Sequence, residues 1–426
     1  MSDATMDASL NGPEPTQLKT ADGLPLKAAL AKSQLRAKRR AFLLVAPLFL
    51  FVLITFVVPI GQMLLQSVYN DGFSKNAPAL GQWFNEHPLG SPIDESAYTA
   101  LASDLKQMKE NRTQGEAGTR INYDVAGTRS LFTSTARKIE RLEPPWKESI
   151  LGVNEGWSDP NLWRAMRSAS SPYTVDFYLA ATDHTRDKDN NIVPVDPQRA
   201  IYGKLFIRTA ILSLVITVLC MFLAFPIAHL LASLPLAKSN LLMIFVLLPF
   251  WTSLLVRTTS WMVLLQQQGV INDLLVWSGL IGNDNRLEMM YNQTGTIVAM
   301  THILLPFMVL PLYSVMRTIP PSYVRAARSL GATSWTAFRR IYLPQTLPGL
   351  GAGALLVFPL SVGYYIAPAL VGGADGQLIS NMIAFHMQKS LNWSLAAALA
   401  SMLLGGVIIL YWLYDRLVGI DNMKLG

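Results

Sequence analysis

Six stretches of the chain are continuously apolar over lengths that reach or approach the roughly 20 residues a helix needs to cross a bilayer core. They fall at 41–65, 208–234, 241–266, 294–316, 350–371 and 394–414. The first is the cleanest, because from Ala41 to Ile60 only Thr55 is polar. The third is the least clean, because Arg257 sits inside it. The pattern predicts an all-α integral membrane protein with six transmembrane helices. The intervening segments divide unevenly. A polar lead at 1–40 precedes the first span (41–65), a large insert at 66–205 separates the first two spans, and 206–415 holds the other five. A tail at 416–426 follows.

The lead lacks a sustained apolar pattern, so residues 1–30 are expected to be disordered. Its length, and the long apolar run after it, argue against a cleaved signal peptide. Within the insert, apolar spacing predicts helices near 98–110, 130–142 and 160–168. Pro144-Pro145, Gly152 and the run 183–191 read as turns and loops, with His184 a solvated loop residue. Trp83, Trp146, Trp157, Trp163, Phe177 and Tyr178 are numerous enough for a small core. No internal repeat is evident, which disfavours the inverted-repeat plan of many secondary transporters.

Composition agrees with a membrane chain: 51% of residues are hydrophobic, 15% are charged and the mean hydropathy is +0.30. The net charge of +7 follows topology. Arg36, Lys38, Arg39 and Arg40 flank the first span and place the N-terminus in the cytoplasm by the positive-inside rule. The loop after the fourth span carries Arg317, Arg325, Arg328, Arg339 and Arg340 with no acid, so it too is expected in the cytoplasm, as are Lys238 and the C-terminus with Arg416 and Lys424. The insert then lies on the outer side. It holds sixteen Lys/Arg against eighteen Asp/Glu between 69 and 204, so it does not violate the rule. Basic residues that flank spans instead of forming one patch give no support to nucleic-acid binding. The single cysteine, Cys220, excludes a disulfide framework within the chain and reads as packing.

The arginine-rich loop is patterned like a docking element. Residues 317–350 read RTIPPSYVRAARSLGATSWTAFRRIYLPQTLPGL. Pro320-Pro321 breaks the preceding span and leaves Ser322 as the expected N-cap of a short helix. Ala326 and Ala327 give that helix a small-residue face, Leu330 closes it, and Gly331 permits a sharp turn. A second helical stretch follows, with Trp335, Phe338 and Ile341 at helical spacing, and Pro344 and Pro348 are expected to end it. This pattern resembles the EAA loop of permease subunits of ABC importers. The match lies on Arg325-Ala326-Ala327, Gly331 and Ile341-Tyr342-Leu343-Pro344, with arginine at position 325 where the family has glutamate. Residues 247–275 (LLPFWTSLLVRTTSWMVLLQQQGVINDLL) and 372–400 (GGADGQLISNMIAFHMQKSLNWSLAAALA) resemble the spermidine/putrescine branch of those permeases, which extends the resemblance over about 205–415.

The resemblance implies a permease of the bacterial inner membrane that works by alternating access. It would pair with a second permease subunit, an ABC ATPase dimer that binds the ATP, and a periplasmic solute-binding protein. The ATPase would engage Ser322, Arg325, Ala326, Ala327, Leu330, Gly331, Phe338, Leu343 and Pro344. Polyamines are the first expected solute, with other amines, amino-acid derivatives and opine-like compounds as alternatives. A secondary transporter and a membrane-anchored sensor are the rival classes.

The residues independently limit the chemistry. The chain contains no G-x-x-x-x-G-K-[ST], H-E-x-x-H or G-x-S-x-G sequence, so no catalytic residue, metal ligand or cofactor is expected. The spans carry almost no carboxylates, which disfavours proton or sodium coupling. Trp251, Trp261, Tyr364 and Tyr365 offer faces for cation–π contact with an amine, or simply pack between helices. Arg257 lies about 24 Å along a straight third span, near the outer interface, as an anchor or a pathway residue. His302 is expected to hydrogen-bond a neighbouring helix or to meet solute. Pro226, Pro249, Pro306, Pro311, Pro359 and Pro368 are candidate kinks, and Gly363, Gly372 and Gly373 are candidate sites of close approach.

Overall fold

The computed structural model describes residues 26–187 and 190–418; the disorder expected of 1–25, the loop expected at 188–189 and the cytoplasmic placement of Lys424 concern residues outside them. The chain divides into two units, the first ending at Met63. The first unit consists of helix α1 (Leu26–Val52), a π-helical turn at Leu53–Val57, and most of α2 (Val58–Gln66). From Ser33 to Gln66 it is one apolar helix of 34 residues. It starts well before residue 41, and residues 26–30 are helical rather than disordered. The physical reason is local: LKAALAKSQLRAKRR consists mostly of strong helix formers and has no breaker. The π turn precedes Pro59. Its bond from the Val58 N–H to the Leu53 carbonyl shifts the ladder where the proline can neither donate nor tolerate a close i−4 carbonyl.

In the second unit the insert comes first along the chain, as short helices: α3 (Pro78–Glu86), α4 (Glu95–Asn111), α5 (Gln114–Asn122), α6 (Thr128–Lys138), α7 (Trp146–Val153), α8 (Pro160–Ala169) and α9 (Asp176–Ala181). A hairpin of β1 (His184–Arg186) and β2 (Ile192–Pro194) follows. His184 therefore sits in a strand, with Nδ1 2.7 Å from the Thr182 carbonyl, and not in a loop. Aspartates start two of the helices. Asp94 accepts from the Ser96 and Ala97 amides, and Asp159 accepts from Asn161 ahead of Pro160 at the first helical position. Asp104 reaches across from α4 and accepts from Ala79 N (3.0 Å) and Leu80 N (2.7 Å), so it caps α3 from a distance.

The core of the insert gathers around Trp157, Phe132, Phe73, Leu101 and Met166, all fully buried. Its indoles are satisfied: Trp157 donates to Thr135 Oγ1 at 2.9 Å, and Trp163 donates to the Trp157 carbonyl at 2.7 Å. Trp146 lies at the margin instead, under the Lys106 ammonium.

The remaining helices are α10 (Tyr202–Ser233), α11 (Leu236–Trp251), α12 (Leu254–Leu265), α13 (Val270–Trp277), α14 (Gln293–Thr318), α15 (Pro321–Ser329), α16 (Ser334–Ala337), α17 (Leu343–Gly363), α18 (Ile366–Val371), α19 (Ile379–Gln388) and α20 (Trp393–Val418). Helices α10, α14 and α17 enclose a core of Ile216, Cys220, Ala224, Met308, Leu312 and Val357. Two expected spans change. The third is broken: α11 and the stretch from Leu254 to Trp277 meet at an angle of 96°. Thr252 and Ser253 leave helical geometry there, directly after Pro249 has removed a backbone donor from the end of α11. The fifth begins earlier and ends earlier than 350–371. Helix continues from Ser334 to Gly363, so Pro344 and Pro348 do not end the loop helix but lie inside the span. A second π turn, Phe338–Tyr342, absorbs Pro344 as the first absorbs Pro59, with the Leu343 N–H reaching back to Phe338 O. Among the described residues there are thus five helices long and apolar enough to cross a membrane, or six if the bent pair is one span.

Insert and membrane helices join through a small cluster of Phe177, Leu205, Ile379, Leu395 and Leu399. Around it, the Tyr178 hydroxyl is 2.8 Å from both Ser67 Oγ and Ser401 Oγ, and Asn70 donates to Ser394 Oγ at 2.9 Å. Asp183 accepts from the amides of Ile201, Tyr202 and Gly203 and so starts α10.

Candidate functional site

The arginine-rich loop is built from two helices and a tight turn. Helix α15 begins with Pro321 at its first position and Pro320 as the cap, so Ser322 is not the N-cap and makes no capping bond. Proline's fixed φ suits that place, and its missing donor costs nothing there. At the other end Gly331 has φ +87°. The Ala332 amide bonds to Ala327 O (3.1 Å) and the Gly331 amide to Arg328 O (3.0 Å), the paired bonds of a Schellman motif. Thr333 then caps the next helix by accepting from the Thr336 amide at 3.2 Å, a role the sequence reading missed although a threonine just before an apolar helical stretch is its usual signal.

The outer face of α15 carries Ser322, Arg325, Ala326 and Arg328, all exposed, with Ala327 half-buried and Leu330 90% exposed. Tyr323 and Trp335 are exposed beside them. The inner side is held firmly. Phe338 stacks between Trp335 (5.7 Å) and Tyr342 (5.9 Å) and meets Phe225 of α10 edge-on. The Tyr342 hydroxyl lies 3.0 Å from His229 Nδ1, and Arg317 donates to the Ala232 and Leu234 carbonyls at the end of α10. Leu343 is half-buried, and Pro344 is exposed. The loop therefore presents an exposed apolar and cationic helix on a base locked to α10, α14 and α17.

A second group of the expected residues gathers behind the broken span. Trp261 donates its indole N–H to His302 Nδ1 at 3.1 Å, with the rings edge-to-face at 5.5 Å. An indole N–H can only donate, so Nδ1 is the acceptor and His302 carries its proton on Nε2. Arg257 lies one helical turn before Trp261 on α12. Its Nε is enclosed without a hydrogen-bond partner. The straight-helix distance that put Arg257 at the outer interface fails, because the chain has turned through 96° before reaching it. Trp251, on the other limb of the break, is 87% exposed and has no ring contact among the described residues. The Tyr364 and Tyr365 carbonyls accept from Ser380 Oγ (2.6 Å) and Asn381 Nδ2 (2.8 Å), which fixes the break between α17 and α18. Gly373 (φ +55°) packs so closely that a Cβ there would lie 2.2 Å from Tyr291 O.

Comparison with known proteins meets this geometry at the loop and the membrane helices. The family described as "Binding-protein-dependent transport system inner membrane component" matches residues 200–419, just over half the chain. The chain belongs to this family. It is an ABC importer permease, a multi-pass protein of the inner membrane. It is 34% identical over 233 residues to the spermidine/putrescine transport system permease protein PotB of Escherichia coli K12, covering 54% of this chain and 83% of that one. The PotB of Salmonella typhimurium LT2 is equally similar, with 79% of its length covered. The E. coli inner membrane ABC transporter permease protein YdcU is 31% identical over 207 residues, 46% of this chain and 65% of its own. Among solved structures, a bacterial alginate ABC transporter in complex with an alginate pentasaccharide-bound periplasmic protein aligns at 16% identity and TM-score 0.44, over 52% of this chain and 80% of that one. In this permease the family match takes in α10 to α20 with the loop, and leaves out α1 and almost all of the insert.

Proposed function

We propose that this permease carries a polyamine-like cation inward, powered by a separate ATPase dimer that docks on α15. In this reading the N- and C-termini and the arginine-rich loop face the cytoplasm, and the insert faces the periplasm. The loop geometry carries the docking assignment. Leu330 and the Ala326-Ala327 face stand open to a partner, while Phe338 and Tyr342 tie the same segment to α10. A push on α15 thus reaches the spans through packed rings instead of a slack linker. Ser322, Arg325, Gly331, Leu343 and Pro344 complete the docking element. A periplasmic binding protein delivers the solute, and a second permease subunit completes the pathway. Trp261, His302, Tyr364 and Arg257 line it beside the broken span, with Trp251 and Tyr365 as outlying aromatic contacts.

The polyamine assignment is supported by 34% identity across most of the PotB relatives. One observation favours a second reading, an amine that also bears a carboxylate: Arg257 is a cation with an unpartnered Nε in the proposed pathway. Uptake of radiolabelled putrescine and spermidine, in cells with and without this chain, separates the two. Loss of uptake on deletion supports the polyamine reading. Unchanged polyamine uptake with loss of an amino-acid-derived or opine-like solute supports the second.

A further inference from the structure

A cavity of about 540 Å³ opens in the insert, outside the family match and unused by the transport reading. Three guanidinium groups line it, and their bonding differs. Arg167 is spent on the backbone: Nη1 donates to Phe84 O (2.9 Å) and His87 O (2.7 Å), and the group lies over the Phe84 ring. Arg186 donates Nε to Asp176 Oδ1 (3.0 Å) and Nη1 to Asn190 O (3.2 Å). The other Asp176 oxygen is taken by Ser168, so this carboxylate, the only one among the described lining residues, is fully used. Arg164 has no hydrogen-bond or ion-pair partner among the described residues, and its Nε is closed off from solvent without an acceptor. The described lining residues therefore carry a net charge of about +2 and one enclosed donor that lacks the oxyanion such a fork is shaped to hold.

The cavity's position narrows the ligand. Its wall includes Val68, two residues beyond Gln66, where the apolar helix ends. The wall is pinned to that point: Thr174 N bonds to Val68 O (2.9 Å), Asn70 N bonds to Pro172 O (2.8 Å), and Tyr69 meets Tyr173 edge-to-face at 5.3 Å. Leu89, Tyr173 and Val175 also line the cavity and are exposed. Guanidinium groups beside exposed apolar and aromatic side chains, close in sequence to the end of an apolar helix, match a phosphate that carries an apolar or glycerol substituent.

We propose that this cavity is a phosphate-binding site in which Arg164 and Arg186 hold the phosphate oxygens, the phosphate coming from an anionic phospholipid headgroup or from a soluble phosphate ester. The assignment does not depend on which solute the permease carries.

The test uses the full-length chain with its partner subunits in nanodiscs. Hydrogen exchange of peptides covering 160–176 is compared in phosphatidylcholine discs, in discs containing phosphatidylglycerol, and in phosphatidylcholine discs with added glycerol 3-phosphate. Phosphate binding slows exchange at least about fivefold in one of the last two conditions. Slowing by phosphatidylglycerol alone identifies the lipid as the source, and slowing by glycerol 3-phosphate identifies the soluble ester. Arg164→Gln removes the protection, whereas Arg137→Gln, on an exposed face of α6, retains it. If Arg164→Gln disturbs exchange around Trp157, Arg164→Lys replaces it and weakens the protection severalfold. Equal exchange in all three conditions, or protection that survives loss of the Arg164 guanidinium, overturns the proposal.

Discussion

Asp104 gives the sharpest quantitative prediction. Its carboxylate is 1% exposed, makes no ion pair among the described residues, and accepts from the Ala79 and Leu80 amides at the start of α3. Burial pushes it up from 3.8 to about 6, against the two backbone hydrogen bonds that favour the ionised form. A carboxyl whose folded value is raised contributes stability that is fully present below its unfolded value and is lost as pH rises through the folded one. Between pH 7 and pH 5 the folded insert therefore gains about 1 kcal/mol from this residue, out of roughly 3 kcal/mol over the whole interval. Asp104→Asn removes the titration. It keeps one accepting oxygen but turns an N–H toward the other amide, a loss of about 1–3 kcal/mol that is offset at pH 7 by no longer burying a charge. The assay is hydrogen exchange of the α3 amides in the full-length chain, compared between wild type and Asp104→Asn at pH 5 and pH 7 so that the intrinsic pH dependence cancels. Wild type should gain protection over the variant by about five- to tenfold on going to pH 5. A ratio that is flat with pH, or one that moves the other way, would refute the reasoning.

Other expectations follow from single contacts. Gly331→Asp meets open space but must adopt φ +87°, a strain of about 1 kcal/mol. It should leave the chain in the membrane at near-normal level while reducing uptake and ATPase co-purification, both measured in the same cells. Gly373→Ala combines φ +55° with a clash on the Tyr291 carbonyl and should cost roughly 3 kcal/mol or more, seen as loss of folded protein in membranes. Trp261→Phe keeps most of the ring volume but strands His302 Nδ1. A loss of about 1 kcal/mol in thermal unfolding is expected. Tyr178→Phe removes the hydroxyl between Ser67 and Ser401 and should loosen exchange at the junction of insert and α20 without unfolding the Trp157 core.

Apolar run length is a strong signal, so the long helices were legible from the chain alone, and the Gly331 turn was legible because only a residue free of Cβ enters that region readily. What was hidden has specific causes. Averaging hydropathy over a span hides a two-residue break, so Thr252-Ser253 and the 96° bend were read through as one straight helix. Pro344 and Pro348 look like helix terminators from the sequence, because a π turn that accommodates the first has no sequence signature of its own. Ser322 looked like a cap by residue type, but Pro321 already supplies the geometry of a helix start. Helices of nine residues such as α3 and α5 carry too few turns for periodicity to register. The meeting of Trp261 with His302, and the unpartnered Arg164, depend on contacts between distant segments that no local pattern encodes.

In the proposed function, a separate ATPase acting through α15 drives solute movement through this chain. The most direct measurement is accumulation of labelled polyamine in proteoliposomes that contain the chain, its partner permease and the ATPase, with the binding protein outside and ATP inside. Accumulation should require ATP, stop when this chain is omitted and fall with Gly331→Asp. Accumulation that proceeds without ATP and follows an imposed proton gradient would contradict the proposed function.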